Sequence, residues 1–213
     1  MSLIAKMDGT GEERKLIDPG LYRAICTTIV DLGTHYSEKY DKDSHWVRVI
    51  WELPDEIHTY KDSETGVEEE RPGRISKKYY SISLHPKATL AQDLEGWRAK
   101  PFTKEERDGF DLANILGKNC MLNIIHDSIP GGDTFAKVAG ITPIMKGMKP
   151  AVSKEQPIIL MVEDEDPAWM NEFMKADRDN SKERMASTYG HEDPSKDKRE
   201  VTPPTPKEDE VPF

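Results

Sequence analysis

The chain has 213 residues, of which 36% are hydrophobic and 33% charged, and its formal net charge is −10 at pH 7. This hydrophobic content is low for a chain that folds along its whole length, so we predict one folded domain with unstructured appendages. No apolar run approaches the roughly 18 residues of a membrane span, and the N-terminus has no signal-peptide core. We therefore expect a cytoplasmic protein with no membrane contact, in which Cys26 and Cys120 are buried thiols.

The acidic charge is unevenly distributed along the chain. Residues 151–213 carry a net charge of −7 and residues 55–70 a net charge of −6, which leaves the rest of residues 1–150 at +3. The presumed folded part is thus mildly basic, and an acidic chain of this kind is compatible with a nucleic-acid partner.

Two strands are predicted near the start of the domain. Residues 1–15 contain few apolar side chains and are expected to form a flexible arm. Alternation of side chains predicts a first strand over Gly20–Leu32 and a second over His45–Leu53. The polar residues 33–44 between them predict a hairpin loop, and the acidic residues 55–73 predict a long loop or a mobile hairpin flap.

A third strand and a helix follow in close succession. Alternation predicts the strand over Ile75–Leu84, and Pro86 suits the first turn of a helix because it has no amide hydrogen to lose there. Leu90, Leu94 and Trp97 then recur at i, i+4 and i+7, which places them on one apolar stripe of the helix.

The second half of the domain is predicted to end in a hairpin. Thr103 and Glu106 match a capping box at the start of a short helix. Strands four and five are predicted over Lys118–His126 and Thr134–Ile141, joined by the turn Pro130–Asp133. This gives a mainly β fold with short helices, in the order three strands, one helix, two strands. That is the order of the five-stranded OB-fold barrel, whose open face binds single-stranded nucleic acid.

Four regions are therefore predicted. A flexible arm covers residues 1–15 and the OB-fold domain residues 16–145. Residues 146–176 contain a linker, a short strand and an amphipathic helix, which pack on the barrel or mediate self-association. Residues 177–213 are polar and rich in proline near the end, so we expect a disordered acidic tail.

The sequence offers little support for an enzyme. None of the six histidines joins a known metal motif, and the chain has neither a phosphate-binding loop nor a Gly-x-Ser-x-Gly nucleophile elbow. The carboxylates of residues 55–70 leave a metal-dependent nuclease as an alternative, but no predicted strand positions them. We predict a protein that is not an enzyme and holds no metal or cofactor.

Aromatic and cationic side chains on strand faces point to binding of single strands. Such binding needs flat rings on which bases stack and Lys or Arg along the backbone, without sequence readout. Trp46, Arg48, Lys77 and Tyr79 are expected on one exposed sheet face. The alternative is that the rings only cover the barrel edge and the cations only keep it soluble. The candidate DNA-binding residues are Arg23, Tyr36, Tyr40, Trp46, Arg48, Lys77, Tyr79, Phe135 and Lys137.

The last residues form a distinct motif in which acids precede an aliphatic residue, a proline and a phenylalanine. Asp209, Glu210, Val211, Pro212 and Phe213 resemble the C-terminal tip of bacterial and phage single-stranded-DNA-binding proteins. The resemblance implies a tip that docks a ring in an apolar pocket of a partner while the acids meet Lys or Arg at its rim. The same tail is expected to compete with DNA for the basic face, and the alternative is a tail that only aids solubility.

A second resemblance covers more of the chain. Ser81–Leu84, Asp93–Arg98, Pro101–Thr103 and Gly109–Leu112 look like the body of a phage family of replicative single-stranded-DNA-binding proteins, loosely over residues 20–143. It implies an OB fold that coats single-stranded DNA in an infected bacterial cell and recruits replication or recombination proteins. The alternative is an OB-fold adaptor or a replication-initiation accessory factor without general coating.

Overall fold

The computed structural model describes residues 16–61 and 67–189. The predicted N-terminal arm and the tip from Asp209 to Phe213 lie outside these residues. The described strands are β1 (Gly20–Ser37), β2 (Lys42–Lys61), β3 (Glu68–Ser76), β4 (Tyr80–Ser81), β5 (Asn119–Ser128), β6 (Thr134–Thr142) and β7 (Ile158–Leu160). The helices are α1 (Thr89–Arg98), α2 (Lys104–Asp108), α3 (Glu172–Asp179) and α4 (Lys182–Tyr189), with 3-10 turns at Glu38–Tyr40 and Leu112–Ile115.

All seven strands belong to one sheet. Its main path is antiparallel in the order β3-β2-β1-β5-β6, while β4 pairs with β2 and β7 pairs in parallel with β1. The sheet curls into a half-barrel, and its two end strands, β3 and β6, approach each other. The predicted mainly β class with a few short helices is confirmed.

The first hairpin is longer than predicted, so the expected loop over residues 33–44 is wrong. β1 continues to Ser37 and pairs with β2 as far as Lys42, and only the 3-10 turn at Glu38–Tyr40 connects them. Register shifts between Cys26 and Thr28 and between Asp31 and Gly33 interrupt the alternation of β1. Because each shift moves the following side chains to the other face, the sequence pattern ends before the strand does.

The predicted third strand over residues 75–84 is present only in part. β3 begins at Glu68 and ends at Ser76, and only Tyr80 and Ser81 pair with β2 again, as β4. Much of the predicted acidic flap is therefore the β2–β3 hairpin. A register shift between Leu53 and Ile57 in the pairing with β3 lets the two strands stay paired past Pro54.

The main core lies between the inner sheet face and α1. Leu90, Leu94 and Trp97 of α1 are buried, as the helical spacing predicted, and the Trp97 ring lies 6.1 Å from that of Trp51 on β2. Trp51 is almost fully buried. The predicted capping box at α2 is confirmed, since the Thr103 side chain accepts from the Glu106 amide and the Glu106 side chain accepts from the Thr103 amide.

Both cysteines lie in this core. Cys26 on β1 and Cys120 on β5 are free and buried, as predicted. Burial raises the pKa of the Cys26 thiol to about 12 and raises that of Cys120 as well. Both are protonated thiols at neutral pH, which suits a packing role.

The opposite sheet face is covered by the segment that follows β6. Val30 and Leu32 of β1 and Ile50 of β2 form a second buried cluster with Met170 and Met174. The predicted packing of residues 158–175 on the sheet is therefore present, with β7 along β1 and α3 across the face. The start of α4 lies over β1 at Gly33 and Thr34.

The predicted disorder from Asp177 onward is wrong for residues 177–189, which form the end of α3 and all of α4. Their anchor is polar. Arg178 is fully buried, donates to the carbonyls of Met161 and Asp164, and pairs with Asp166. Composition could not indicate this packing, because the buried groups are an arginine and its acceptors rather than apolar side chains.

Candidate nucleic-acid interface

Three aromatic rings form a continuous stack on the sheet face that α3 partly covers. The rings of His35 and Trp46 have centroids 4.0 Å apart with planes inclined by 14°, and Trp46 and Tyr79 are 4.1 Å apart at 13°. Such near-parallel stacking fixes the orientation of all three planes. The stack crosses the sheet from β1 through β2 to the residue that precedes β4.

The strand register explains why these rings meet. Trp46 lies opposite Gly33 of β1 on one side and Ser81 of β4 on the other. His35 and Tyr79, each two residues from those partners, therefore flank the indole diagonally. The His35 ring is held in addition by its Nε2, which donates to the Leu32 carbonyl at 2.9 Å.

The stack runs from a buried end to a half-buried end. His35 is buried, whereas Trp46 and Tyr79 are both half-buried and pack against the second cluster. The exposed Lys78 places its Nζ 5.6 Å from the centroid of the Tyr79 ring. A flat ring next to a cation is thus presented at the Tyr79 end of the stack.

Arg48 lies on the same face of β2, two residues beyond Trp46. Its side chain is nine-tenths buried, and its Nη2 lies 3.4 Å from Oδ2 of Asp177 on α3. Its Nε is buried and has no acceptor among the described residues. Burial lowers the pKa of Arg48, and the Asp177 carboxylate opposes that shift. The guanidinium is therefore only partly compensated by its surroundings.

Lys77 lies near the stack but is engaged elsewhere. Its Nζ pairs with Oδ2 of Asp93 on α1 and lies 5.6 Å from the ring of Tyr80. Tyr80 itself is buried and donates to the same carboxylate at 2.8 Å. Burial is the first cause that raises the pKa of the Tyr80 hydroxyl, followed by the charge of Asp93. Lys77 thus ties the segment between β3 and β4 to α1.

The predicted residues of β1 and β6 lie on a different part of the sheet. Arg23 is opposite Met121 in the β1–β5 register, and it donates to both carboxylate oxygens of Asp55, at 3.0 and 2.6 Å. Phe135 on β6 is partly exposed. Lys137 Nζ pairs with Asp127 at 2.6 Å and, as the leading cause, lowers the pKa of that carboxyl.

The two predicted loop tyrosines lie at the tip of the β1–β2 hairpin. Both Tyr36 and Tyr40 are exposed. The Tyr36 hydroxyl donates to Asp41, and this hydrogen bond raises its pKa. Lys42 Nζ lies 5.9 Å from the centroid of the Tyr40 ring. They form a second exposed aromatic group, near the ring stack in sequence but not part of it.

Sequence reasoning found two of the three stacked rings and missed His35 and Lys78. His35 fell in the predicted loop, because the register shift at Asp31 and Gly33 hides the end of β1. The β-prone residues Thr34 and Tyr36 on either side of His35 were the available signal.

Within residues 16–61 and 67–189, no group of three or more His, Cys, Asp or Glu is placed to hold a metal ion. No helix in the same ranges has the length and apolar character needed to cross a membrane. Comparisons with protein-family models, with curated proteins and with solved structures find no significant match to this chain.

Proposed function

We propose that this protein binds single-stranded DNA without reading its sequence and coats it during phage replication or recombination. The observation that carries the proposal is the stack of His35, Trp46 and Tyr79. Every base has a flat face, so a ring that extends such a stack accepts any base.

Tyr79 is the ring on which we expect a base to add. It is half-buried, its orientation is fixed by Trp46, and the ammonium of Lys78 beside it is flexible enough to move to a phosphate. A preorganised ring loses little conformational entropy on binding. Stacking of one base contributes about 1–3 kcal/mol.

Cations near the stack support the same proposal. The Nε of Arg48 is a buried donor without an acceptor among the described residues, where its carboxylate partner is Asp177 at 3.4 Å. The guanidinium is nine-tenths buried, so a phosphate oxygen would reach it only after Asp177 and α3 move aside, and it would then supply the missing acceptor. Lys78 adds a second charge at the exposed end of the stack.

The sheet is consistent with an OB fold as the scaffold. The antiparallel sheet has the order β3-β2-β1-β5-β6, and along the chain α1 lies between β3 and β5. This is the element order of the OB barrel, which is characteristically only partly open. Recruitment of replication or recombination proteins by Asp209–Phe213 is part of the proposal and rests on the sequence motif alone.

The test is a fluorescence-anisotropy titration of a labelled oligothymidylate, with a duplex of equal length for comparison. We expect the single strand to bind more tightly, with a log–log salt slope near −0.7 for each phosphate neutralised. Tyr79→Ala is expected to weaken binding about 5- to 150-fold, the equivalent of the stacking free energy of one base. Tyr79→Phe keeps the ring and is expected to bind nearly as the wild type does.

Phe173→Ala is the matched control, because this ring is 82% exposed on α3 and outside the stack. Wild-type affinity in Tyr79→Ala, or a preference for the duplex, would contradict the proposal. Circular dichroism of each variant verifies that the fold is retained.

A protein-interaction module is the second candidate. It is favoured by the exposure of Phe173 together with the partial exposure of Trp169, because exposed aromatic side chains are enriched in protein interfaces. Oligonucleotide binding that is weak and insensitive to salt would support this candidate instead.

A further inference from the structure

The ring of Phe173 stands out from the outer side of α3. It is 82% exposed, more than any other Phe, Tyr or Trp whose side chain the structure describes. α3 is held to the sheet by its neighbour Met174, which belongs to the second buried cluster. The packing of the domain therefore does not use the Phe173 ring, and exposed aromatic rings of this kind are enriched where proteins contact each other.

The surroundings of this ring are acidic. The side chain of Glu172, next to it in the chain, is 87% exposed, and Lys175 at 3.0 Å offsets only that one carboxylate. Residues 163–179 together carry a net charge of −5. A surface that receives the Phe173 ring should therefore combine an apolar cavity with positive charge at its rim.

A cleft beside α1 provides the apolar cavity. Its volume is about 350 Å³, which is at the lower end of the range for small-ligand pockets and leaves room for one aromatic side chain. Leu94, Trp97 and Ile115 line it and belong to the main core, and the half-buried Phe110 forms a further wall. A ring that enters this cleft meets surfaces that are already in place.

The same cleft provides the positive charge. Among the described residues that line it, the charged side chains are Arg98 and Lys118, and both are cations. The Arg98 guanidinium lies 5.7 Å from the centroid of the Phe110 ring and pairs with Glu106. Lys118 is exposed, so it is the cation that an incoming carboxylate can reach without any rearrangement.

The exposed ring and the cleft lie on opposite sides of the sheet. α1 packs on the inner face through Leu94 and Trp97, whereas α3 packs on the other face through Met174. Because the sheet lies between them, Phe173 cannot reach the cleft of its own chain. A contact between two copies through these surfaces is head-to-tail, so it leaves one free ring and one free cleft at its ends and can be repeated.

We propose that Phe173 of one molecule docks in the α1 cleft of a second copy of this chain, with Glu172 beside Lys118 of that copy. The contact needs no DNA, so it goes beyond the proposed function. One ring and one exposed ion pair make a weak contact between free molecules. Neighbours bound to one DNA strand have an effective concentration of the order of millimolar, at which such a contact forms. Its role in ordering molecules along DNA rests on the proposed function.

The first test contains no DNA. The photocrosslinking residue p-benzoylphenylalanine replaces Phe173 in the full chain, and equal amounts of isotope-labelled and unlabelled protein are irradiated together at high concentration. Mass spectrometry is expected to find links between a labelled and an unlabelled chain, from position 173 to residues 94–119 or 143–144. Links confined to one chain, links to another surface, or no links at all would overturn the proposal.

The second test keeps the natural ring and measures self-association by sedimentation equilibrium, again without DNA. Lys118→Glu and Glu172→Lys should each weaken self-association about 3-fold, and the two together should restore it because the reversed charges pair again. Phe173→Ala should weaken it about 10-fold or more. Lys87→Glu changes an exposed lysine outside the cleft and is the matched control, with no change expected. Wild-type self-association in Phe173→Ala, or no recovery in the double variant, would contradict the proposed contact.

A third measurement adds DNA and shows the consequence for coating. On an oligothymidylate that holds one molecule, Phe173→Ala should bind as the wild type does. On one that holds several molecules, it should lose the cooperativity of the wild type. Equal cooperativity in the two proteins would overturn the role of the contact on DNA. Because the first two tests contain no DNA, a failure there is distinguishable from a failure to bind single strands.

Discussion

Glu183 on α4 accepts two hydrogen bonds from Thr34 on β1, one from the backbone N–H at 2.8 Å and one from Oγ1 at 2.6 Å. Thr34 Oγ1 also lies 3.2 Å from Nδ1 of His45, whose Nε2 is 2.6 Å from the buried carboxylate of Asp31. A polar chain thus joins the C-terminal helix to the first hairpin, beside the ring stack. The described part of the C-terminal region is a structural element of the domain.

Stability should fall in acid partly through Glu183. Burial disfavours its charged form, but the hydrogen bonds from Thr34 outweigh burial, and the pKa of Glu183 is lowered. A lowered pKa stabilises the fold above the unfolded-state value of about 4.3, and this contribution disappears as pH falls through the lower folded-state value. Urea unfolding between pH 7 and pH 3 should show a smaller loss for Glu183→Gln than for the wild type. An identical pH dependence would exclude this role.

Gly33 of β1 lies against Ser181, the residue that precedes α4. Its φ is +78°, and a Cβ at this position would lie 2.4 Å from Cβ of Ser181. Gly33→Ala should therefore destabilise the protein by about 2 kcal/mol or more, through backbone strain and the clash together. Adding Ser181→Gly should recover only the part due to the contact with Ser181, because Glu183 Oε2 remains 2.7 Å from the same Cβ and the hydrogen bond from the Arg184 amide to Ser181 Oγ is lost. Gly140→Ala on β6, where a Cβ meets no atom within 4 Å, is the control and should cost much less. Equal midpoints for the two glycine variants in urea would contradict the close packing of α4.

Elements with an uninterrupted pattern were predictable, and those that depend on buried polar groups were not. The stripe of Leu90, Leu94 and Trp97 identified α1, and alternation identified Trp46 on β2, whereas Tyr79, predicted on a third strand, precedes β4. Hydropathy gave no sign of α4, which is held by polar groups: the Arg184 guanidinium donates to the carbonyls of Val162 and Asp164, and the Glu183 carboxylate accepts from Thr34.

The candidate site shows the same division. Its aromatic residues were visible as residue types, but the stacking of His35 on Trp46 depends on a register shift in β1 that no local pattern reveals. The ion pair of Arg23 with Asp55 joins residues that are far apart in sequence. Charge counting treated these two residues separately, as a cation of the sheet and an acid of a loop.

Arg48 and Asp177 should respond differently to substitution. Arg48→Met replaces a poorly compensated buried cation with an apolar side chain of similar length, so the free energy of unfolding should stay unchanged or rise slightly. Asp177→Asn removes the only carboxylate that pairs with Arg48 among the described residues and should lower stability by about 1–2 kcal/mol, since Asp177 is itself partly exposed. Denaturant unfolding measures both changes. A larger loss in Arg48→Met than in Asp177→Asn would show that the guanidinium is better compensated than its contacts indicate.

The ion pair between Arg23 and Asp55 tests how far a bound strand extends over the sheet. Arg23 donates Nε and Nη2 to Asp55 and Nη1 to the Lys149 carbonyl, so its charge is neutralised in the free protein. If the single strand passes from the ring stack over β1, Asp55→Asn makes that charge available to a phosphate. Affinity for an oligothymidylate should then rise about 3- to 10-fold at low salt, and the log–log salt slope should steepen by about 0.7.

Asp127→Asn releases Lys137 on β6 in the same way and tests whether the bound strand also passes over β5 and β6. Asp108→Asn, at the exposed end of α2 and outside β1 and β6, removes the same charge and corrects for net charge. A gain in all three variants alike would mean that the strand responds to overall charge. A gain confined to Asp55→Asn would place its path over β1, and no gain in any variant would confine it to the stack.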